Sequence, residues 1–131
     1  MKDSHLKLKN GSSSQRSGAA GERRAVLYLR LHGYRILERN YLFGHKEIDI
    51  IASKGDTIAF IEVKSRNNAS IRPMSSVNRE KRANVLSASG AYIAAHGIHD
   101  RIIRYDVIEV DLGKKLYFHS VTHIKNAFTN K

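Results

Sequence analysis

The chain has 131 residues, no cysteine and a formal net charge of +11. That length suits one domain whose core stands without staples, and the lack of cysteine excludes disulfides, thiolate metal sites and cysteine nucleophiles. The excess of 23 Lys and Arg over 12 Asp and Glu favours a polyanionic partner, either nucleic acid or an anionic surface.

Residues 1–17 are polar, Ser-rich and aperiodic, which predicts a flexible basic arm ahead of a single domain over 18–131. Lys2, Lys7, Lys9 and Arg16 against Asp3 give the first 18 residues +3, so +8 remains on the rest. The opening residues carry no apolar signal-peptide core, and no apolar run approaches the roughly 18 residues of a membrane helix. A soluble cytoplasmic protein with no membrane partner is the expectation. A helical period runs from Ala19 to His32, with Ala25, Val26 and Leu29 on the stripe that Glu22 begins. Gly33 is placed to end it.

"YRILERNY", residues 34–41, predicts a first strand. Two strands follow around Lys54-Gly55-Asp56-Thr57, a tight hairpin turn. With Gly55 and Asp56 as the loop, Ile51 faces Phe60, Asp49 faces Glu62 and Glu47 faces Lys64, each pair sharing a sheet face. Ile48, Ile50, Ala52, Ala59, Ile61 and Val63 then form the other, wholly apolar face. A polar stretch over 67–76 containing Pro73 predicts a loop. A second helix is expected from about Asn78 to Ala95, with Lys81 opening a stripe of Val85, Ala88 and Tyr92, and Gly97 near its end. Strands over 101–110 and 115–121 complete the order α-β-β-β-α-β-β, an α/β domain on a mixed sheet. The two helices are available to cover both faces of that sheet.

Carboxylates on otherwise apolar strands demand compensation, because two of them about 5 Å apart repel and lose hydration. Two readings stand. In one, Lys64 and nearby arginines neutralise the acids in a salt-bridge ladder. In the other, Asp49 and Glu62 bind a divalent cation, Mg²⁺ or Mn²⁺, which takes oxygen ligands. Lys64, two residues along from Glu62, shares its face and can hold the attacking water or offset developing charge on a phosphate. Glu22 and Lys81 open the apolar stripes of their helices and are expected to reach the acidic pair from one side of the sheet. The competing reading makes them rim residues, a dipole-complementing Glu and a snorkelling Lys. His96, His99, His119 and His123 lack a zinc-binding spacing and read as surface residues.

Several stretches resemble the YraN-like family: "GE" at 21–22, "GYRILERN" at 33–40, "EIDIIA" at 47–52, "FIEVKSR" at 60–66, Lys81, "AYI" at 91–93, "RYDV" at 104–107 and "NAF" at 126–128. The chain departs from that pattern at Leu42, at Lys46 and in the loop before the second helix. The resemblance implies a restriction-endonuclease-like mixed sheet flanked by helices, related to Holliday-junction resolvases. It implies Asp49 and Glu62 as metal-binding acids, Lys64 as the catalytic lysine and Glu22 as the helical glutamate. The implied activity is metal-dependent hydrolysis of DNA phosphodiesters, on branched or structured substrates, with RNA not excluded. Arg66, Arg79, Lys81 and Arg82 are expected to hold phosphates without reading bases. Two alternatives share the fold and basic surface: a nucleic-acid-binding protein that does not cut, and a scaffold subunit of a DNA-processing assembly.

Overall fold

The computed structural model describes residues 13–66, 79–113 and 120–128. Its elements are α1 (Ser13–Leu31), β1 (Arg35–Phe43), β2 (Lys46–Lys54), β3 (Thr57–Arg66), α2 (Arg79–Ala95), β4 (Ile102–Asp111) and β5 (Val121–Ile124). The strands form one sheet in sequence order, antiparallel except for the parallel β3–β4 pair, which α2 connects. This is the expected architecture, a mixed five-stranded sheet between two helices. The expected loop over 67–76 lies outside the described residues, as do most of the N-terminal arm and positions 115–119 of the last expected strand. The described part of that strand is shifted to Val121–Ile124. The first helix begins at Ser13, within the stretch read as an arm.

Both helices stop where glycine permits it. Gly33 has φ 88°, its N–H bonds to Arg30, and Tyr34 N–H reaches back to Leu29. Gly97, φ 59°, repeats the pattern with Ala94 and Ile93. These paired bonds satisfy carbonyls that the last helical turn leaves open.

Each sheet face carries its own core. Ala25, Val26 and Leu29 of α1 pack on Ile50, Ala52, Ala59, Ile61, Ile108 and Val110. Val85, Ala88 and Tyr92 of α2 pack on Ile51, Ile58, Phe60, Tyr105 and Val107 across the sheet. Phe60 stacks on Tyr105 at 5.8 Å between centroids, and Tyr105 on Phe128 at 5.4 Å. The two helices therefore lie on opposite faces, which corrects the expectation that Glu22 and Lys81 approach from one side.

The hairpin has the expected two-residue turn, with Lys54 opposite Thr57 and Ile51 opposite Phe60. Its regular pairing ends at Ile50 and Ile61. Beyond that point the alternation of β2 breaks. Ile48 packs with Ile51 and Phe60 on the α2 side and not, as expected, with Ile50 and Ala52. The break falls at Asp49, whose Oδ2 accepts a hydrogen bond from Val63 N–H at 2.8 Å. A side chain there satisfies a strand donor that a backbone carbonyl would otherwise serve.

A second carboxylate is built into the sheet under α1. Asp106 is fully buried. It accepts hydrogen bonds from Arg104 Nε at 3.0 Å, His123 Nε2 at 2.8 Å and Asn126 N–H at 2.8 Å. With Nε2 donating, His123 Nδ1 accepts from the Tyr28 hydroxyl at 3.0 Å, while Arg104 also donates to the Tyr34 hydroxyl at 2.6 Å. The His123 side chain is only 3% exposed, so it is not the surface residue that its sequence context suggested; His96 and His99 are exposed. Burial alone would raise the Asp106 pKa, but the bonds from His123, Arg104 and the backbone outweigh it and hold it below the usual value.

Candidate active site

The site begins with a glycine. A Cβ on Gly21 would meet Ser65 Cβ at 2.6 Å, so only glycine lets α1 lie this close to β3. That close approach brings the next residue, Glu22, to the end of the sheet where β2 breaks at Asp49. There the Glu22 carboxylate accepts from Asn40 Nδ2 at 3.2 Å through both oxygens, with Arg39 more distant at 4.0 Å.

Regular pairing stops one residue short of the expected Asp49–Glu62 pair, yet the two carboxyls lie close enough for a hydrogen bond between them when one is protonated. Lys81 comes from α2 on the other face and places Nζ 3.4 Å from Glu62 Oε1. That oxygen is buried and has no hydrogen-bond partner of good geometry. Lys64 lies near enough for its charge to act on Glu62. The sheet thus brings Glu22, Asp49, Glu62, Lys64 and Lys81 to one place, from two strands and two helices on opposite faces.

The electrostatics follow from this crowding. Burial, then the charge of Asp49, raise Glu62 to about 8 against the opposing pull of Lys81. Burial and Asp49 likewise raise Glu22 to about 7, opposed by the Asn40 bond. Asp49 is also raised, chiefly by burial, despite the Val63 N–H and the charge of Lys81. Three carboxyls that resist ionisation together favour anything positive that enters between them.

The phosphate-holding candidates divide. Arg66 is turned onto Glu109, with Nη2 to Oε1 at 2.8 Å. Lys81 serves Glu62, and Arg82 lies over the Phe128 ring at 5.8 Å. Arg79 is exposed at the start of α2. Two participants escaped the sequence reading as site residues: Asn40, and Glu47, whose Oε2 accepts from Asn40 Nδ2 at 3.0 Å. The available signal was an asparagine inside a strand, where that residue is depleted.

The match to the uncharacterised protein family UPF0102 covers residues 21–110. The chain belongs to the UPF0102 family. It is 42% identical over 118 residues to a UPF0102 protein of Alkaliphilus oremlandii, covering 88% of this chain and 99% of that one. A UPF0102 protein of Clostridioides difficile is 42% identical over 117 residues, with the same coverage. One from Chlorobium chlorochromatii is 40% identical over 116 residues, covering 85% and 89% of the two chains. The UPF0102 match begins at Gly21, the residue that seats Glu22, and includes Asp49, Glu62, Lys64 and Lys81.

Among the described residues no three His, Asp or Glu side chains already converge as a metal site, and no helix is long and apolar enough to cross a membrane. The donor set nevertheless fits a hard divalent cation. It offers carboxylate oxygens, the ligands Mg²⁺ and Mn²⁺ prefer, and one of them, Glu62 Oε1, is buried without a hydrogen bond.

Proposed function

We propose that this UPF0102 protein is a metal-dependent nuclease that hydrolyses phosphodiester bonds in DNA, with the restriction-endonuclease-like and YraN-like character that its motifs resemble. The observation that carries the reading is the Asp49–Glu62 pair. Two carboxyls meet on strands that are otherwise core, one oxygen lacks a hydrogen bond, and the chain around them carries +11. Asp49 and Glu62 would hold the cation, Mg²⁺ or Mn²⁺, with Glu22 completing the acidic wall. A bound divalent ion supplies positive charge to the scissile phosphate and makes the attacking water more acidic.

The chain's own groups account for the remaining work. The Lys64 ammonium, beside Glu62, orients the water or meets the charge that grows on the phosphate. Lys81 keeps Glu62 from repelling the approaching backbone. Exposed Arg79 and Arg82 lie on the helix that carries Lys81 and can neutralise flanking phosphates. Contacts of that kind position a backbone without specifying sequence. Branched or structured DNA is the preferred substrate class in this reading, and the protein would act in the cytoplasm.

The test is cleavage of duplex, single-stranded, flapped and four-way-junction DNA in Mg²⁺, Mn²⁺ or EDTA. Wild-type protein should cut in metal and not in EDTA. Glu62→Gln should abolish cutting while preserving DNA binding, and Lys64→Met should slow cutting by about 10²–10³-fold with metal affinity near normal. Binding itself should weaken steeply with salt and show little base preference.

A second reading keeps the DNA and removes the reaction. Lys81 already places a cation 3.4 Å from Glu62, as a non-catalytic DNA clamp with an internal ionic network would. Binding in EDTA with no cleavage of any substrate in either metal would favour it.

A further inference from the structure

Asn40 sits at a gap in the β1–β2 ladder, which pairs on both sides of it. Arg39 is opposite Ile50 and Tyr41 is opposite Ile48, so Asn40 falls across from Asp49, the residue at which β2 loses its alternation. Its backbone is left-handed, φ 53°, a conformation that asparagine tolerates better than other residues with a side chain. Its amide nitrogen has two hydrogens and serves two carboxylates. One is Glu22 of α1, with both oxygens at 3.2 Å, and the other is Glu47 of β2, at 3.0 Å. Asn40 is itself exposed, so neither core packing nor burial explains why its side chain is directed there.

We propose that Asn40 is a positioning residue for the hydrolytic site, tying the Glu22 carboxylate to the sheet so that α1 presents it toward Asp49 and Glu62. This role rests on the function proposed above. Without the tie, the side-chain partner left to Glu22 among the described residues is Arg39, at 4.0 Å and 43% exposed, and exposed ion pairs hold geometry weakly. A neutral amide suits the place. It supplies two donors without adding a fixed positive charge that would compete with a divalent ion for the same acids. The unusual φ follows from the same requirement, since an extended residue here would continue the ladder instead of turning its side chain between two elements.

The test uses Asn40→Gly, which accepts the left-handed backbone and removes only the amide. In metal-free wild-type protein, the Asn40 side-chain amide resonances should shift on Glu22→Gln and on Glu47→Gln; insensitivity to both overturns the tie. Calorimetric titration with Mn²⁺ alone should show affinity in Asn40→Gly reduced about 10–100-fold, as for other residues that orient metal-binding groups. Cleavage in Mn²⁺ should lose kcat with KM for DNA within about twofold. Wild-type Mn²⁺ affinity and kcat in the variant overturn this role for Asn40 alone. Wild-type protein that binds no Mn²⁺ overturns the hydrolytic site itself, and this role with it.

Discussion

The same sheet holds carboxylates in two opposite conditions. Asp106 is fully buried yet surrounded by donors, from Arg104, His123 and the Asn126 backbone, and its pKa is lowered. Glu62 is nearly as buried, but its neighbours include another acid, one oxygen lacks a hydrogen bond, and its pKa rises to about 8. Burial is common to both; the difference lies in the partners. Saturated donors make an acid part of the architecture, whereas opposed acids leave a place for a cation.

The comparison is broken most severely at Asp106. Asp106→Asn removes the anion that Arg104 and His123 address and should destabilise the protein by roughly 3–5 kcal/mol. Denaturant unfolding measures this; a loss under about 1 kcal/mol would make the network dispensable.

Next comes the seat of Glu22. Gly21→Ala drives a Cβ to 2.6 Å from Ser65 Cβ. Overpacking should cost about 1–3 kcal/mol, less up to about 1 kcal/mol from better helix propensity. Metal affinity should fall more than stability does, since α1 must withdraw Glu22 from Asp49. Equal affinity in the variant would remove Glu22 from the site.

Glu62→Gln should have the smallest effect on folding and the opposite sign, raising metal-free stability by up to about 1 kcal/mol as carboxylate repulsion is relieved. Strong destabilisation there would place Glu62 in the same class as Asp106. A pH series sharpens the contrast. Folded Glu62 and Glu22 hold protons up to about 8 and 7 from an ordinary 4.5, so the folded state binds more protons than the unfolded across that window. Metal-free stability should therefore fall as pH rises from about 4.5 to 8, with a shallower slope in Glu62→Gln. Asp106 acts the other way. Its lowered pKa gives stability that is lost as pH falls through and below the ordinary 3.8.

Much of this was legible in the residues. Hydrophobic spacing located both helices and every strand but the last, which is shifted, and Gly33 and Gly97 marked the helix ends. The two-residue turn fixed Ile51 opposite Phe60 and brought Asp49 and Glu62 together. Regular alternation could not reveal the break at Asp49, which moves Ile48 to the other face, because a strand irregularity changes parity without changing composition. The Asn40 tie depended on that break and on a left-handed φ. Asp106 and His123 lie 17 positions apart and meet through β4–β5 pairing in a register set by Ile108 opposite His123, which composition alone does not specify. The sidedness of Glu22 and Lys81 was missed because stripe position says which residue borders a core, not which face of the sheet the core covers.

The central claim is that Asp49 and Glu62, with Glu22 beside them, hold a divalent cation. Calorimetric titration of Mn²⁺ into wild-type protein, in buffers of different ionisation enthalpy, tests it most directly. Carboxyls raised to about 7 and 8 must release protons when the ion enters, so binding should release protons at about pH 6 and tighten toward about pH 8. Glu62→Gln should lose it. Absence of Mn²⁺ binding to the wild type at both pH values, or binding without proton release that Glu62→Gln retains, would contradict the account.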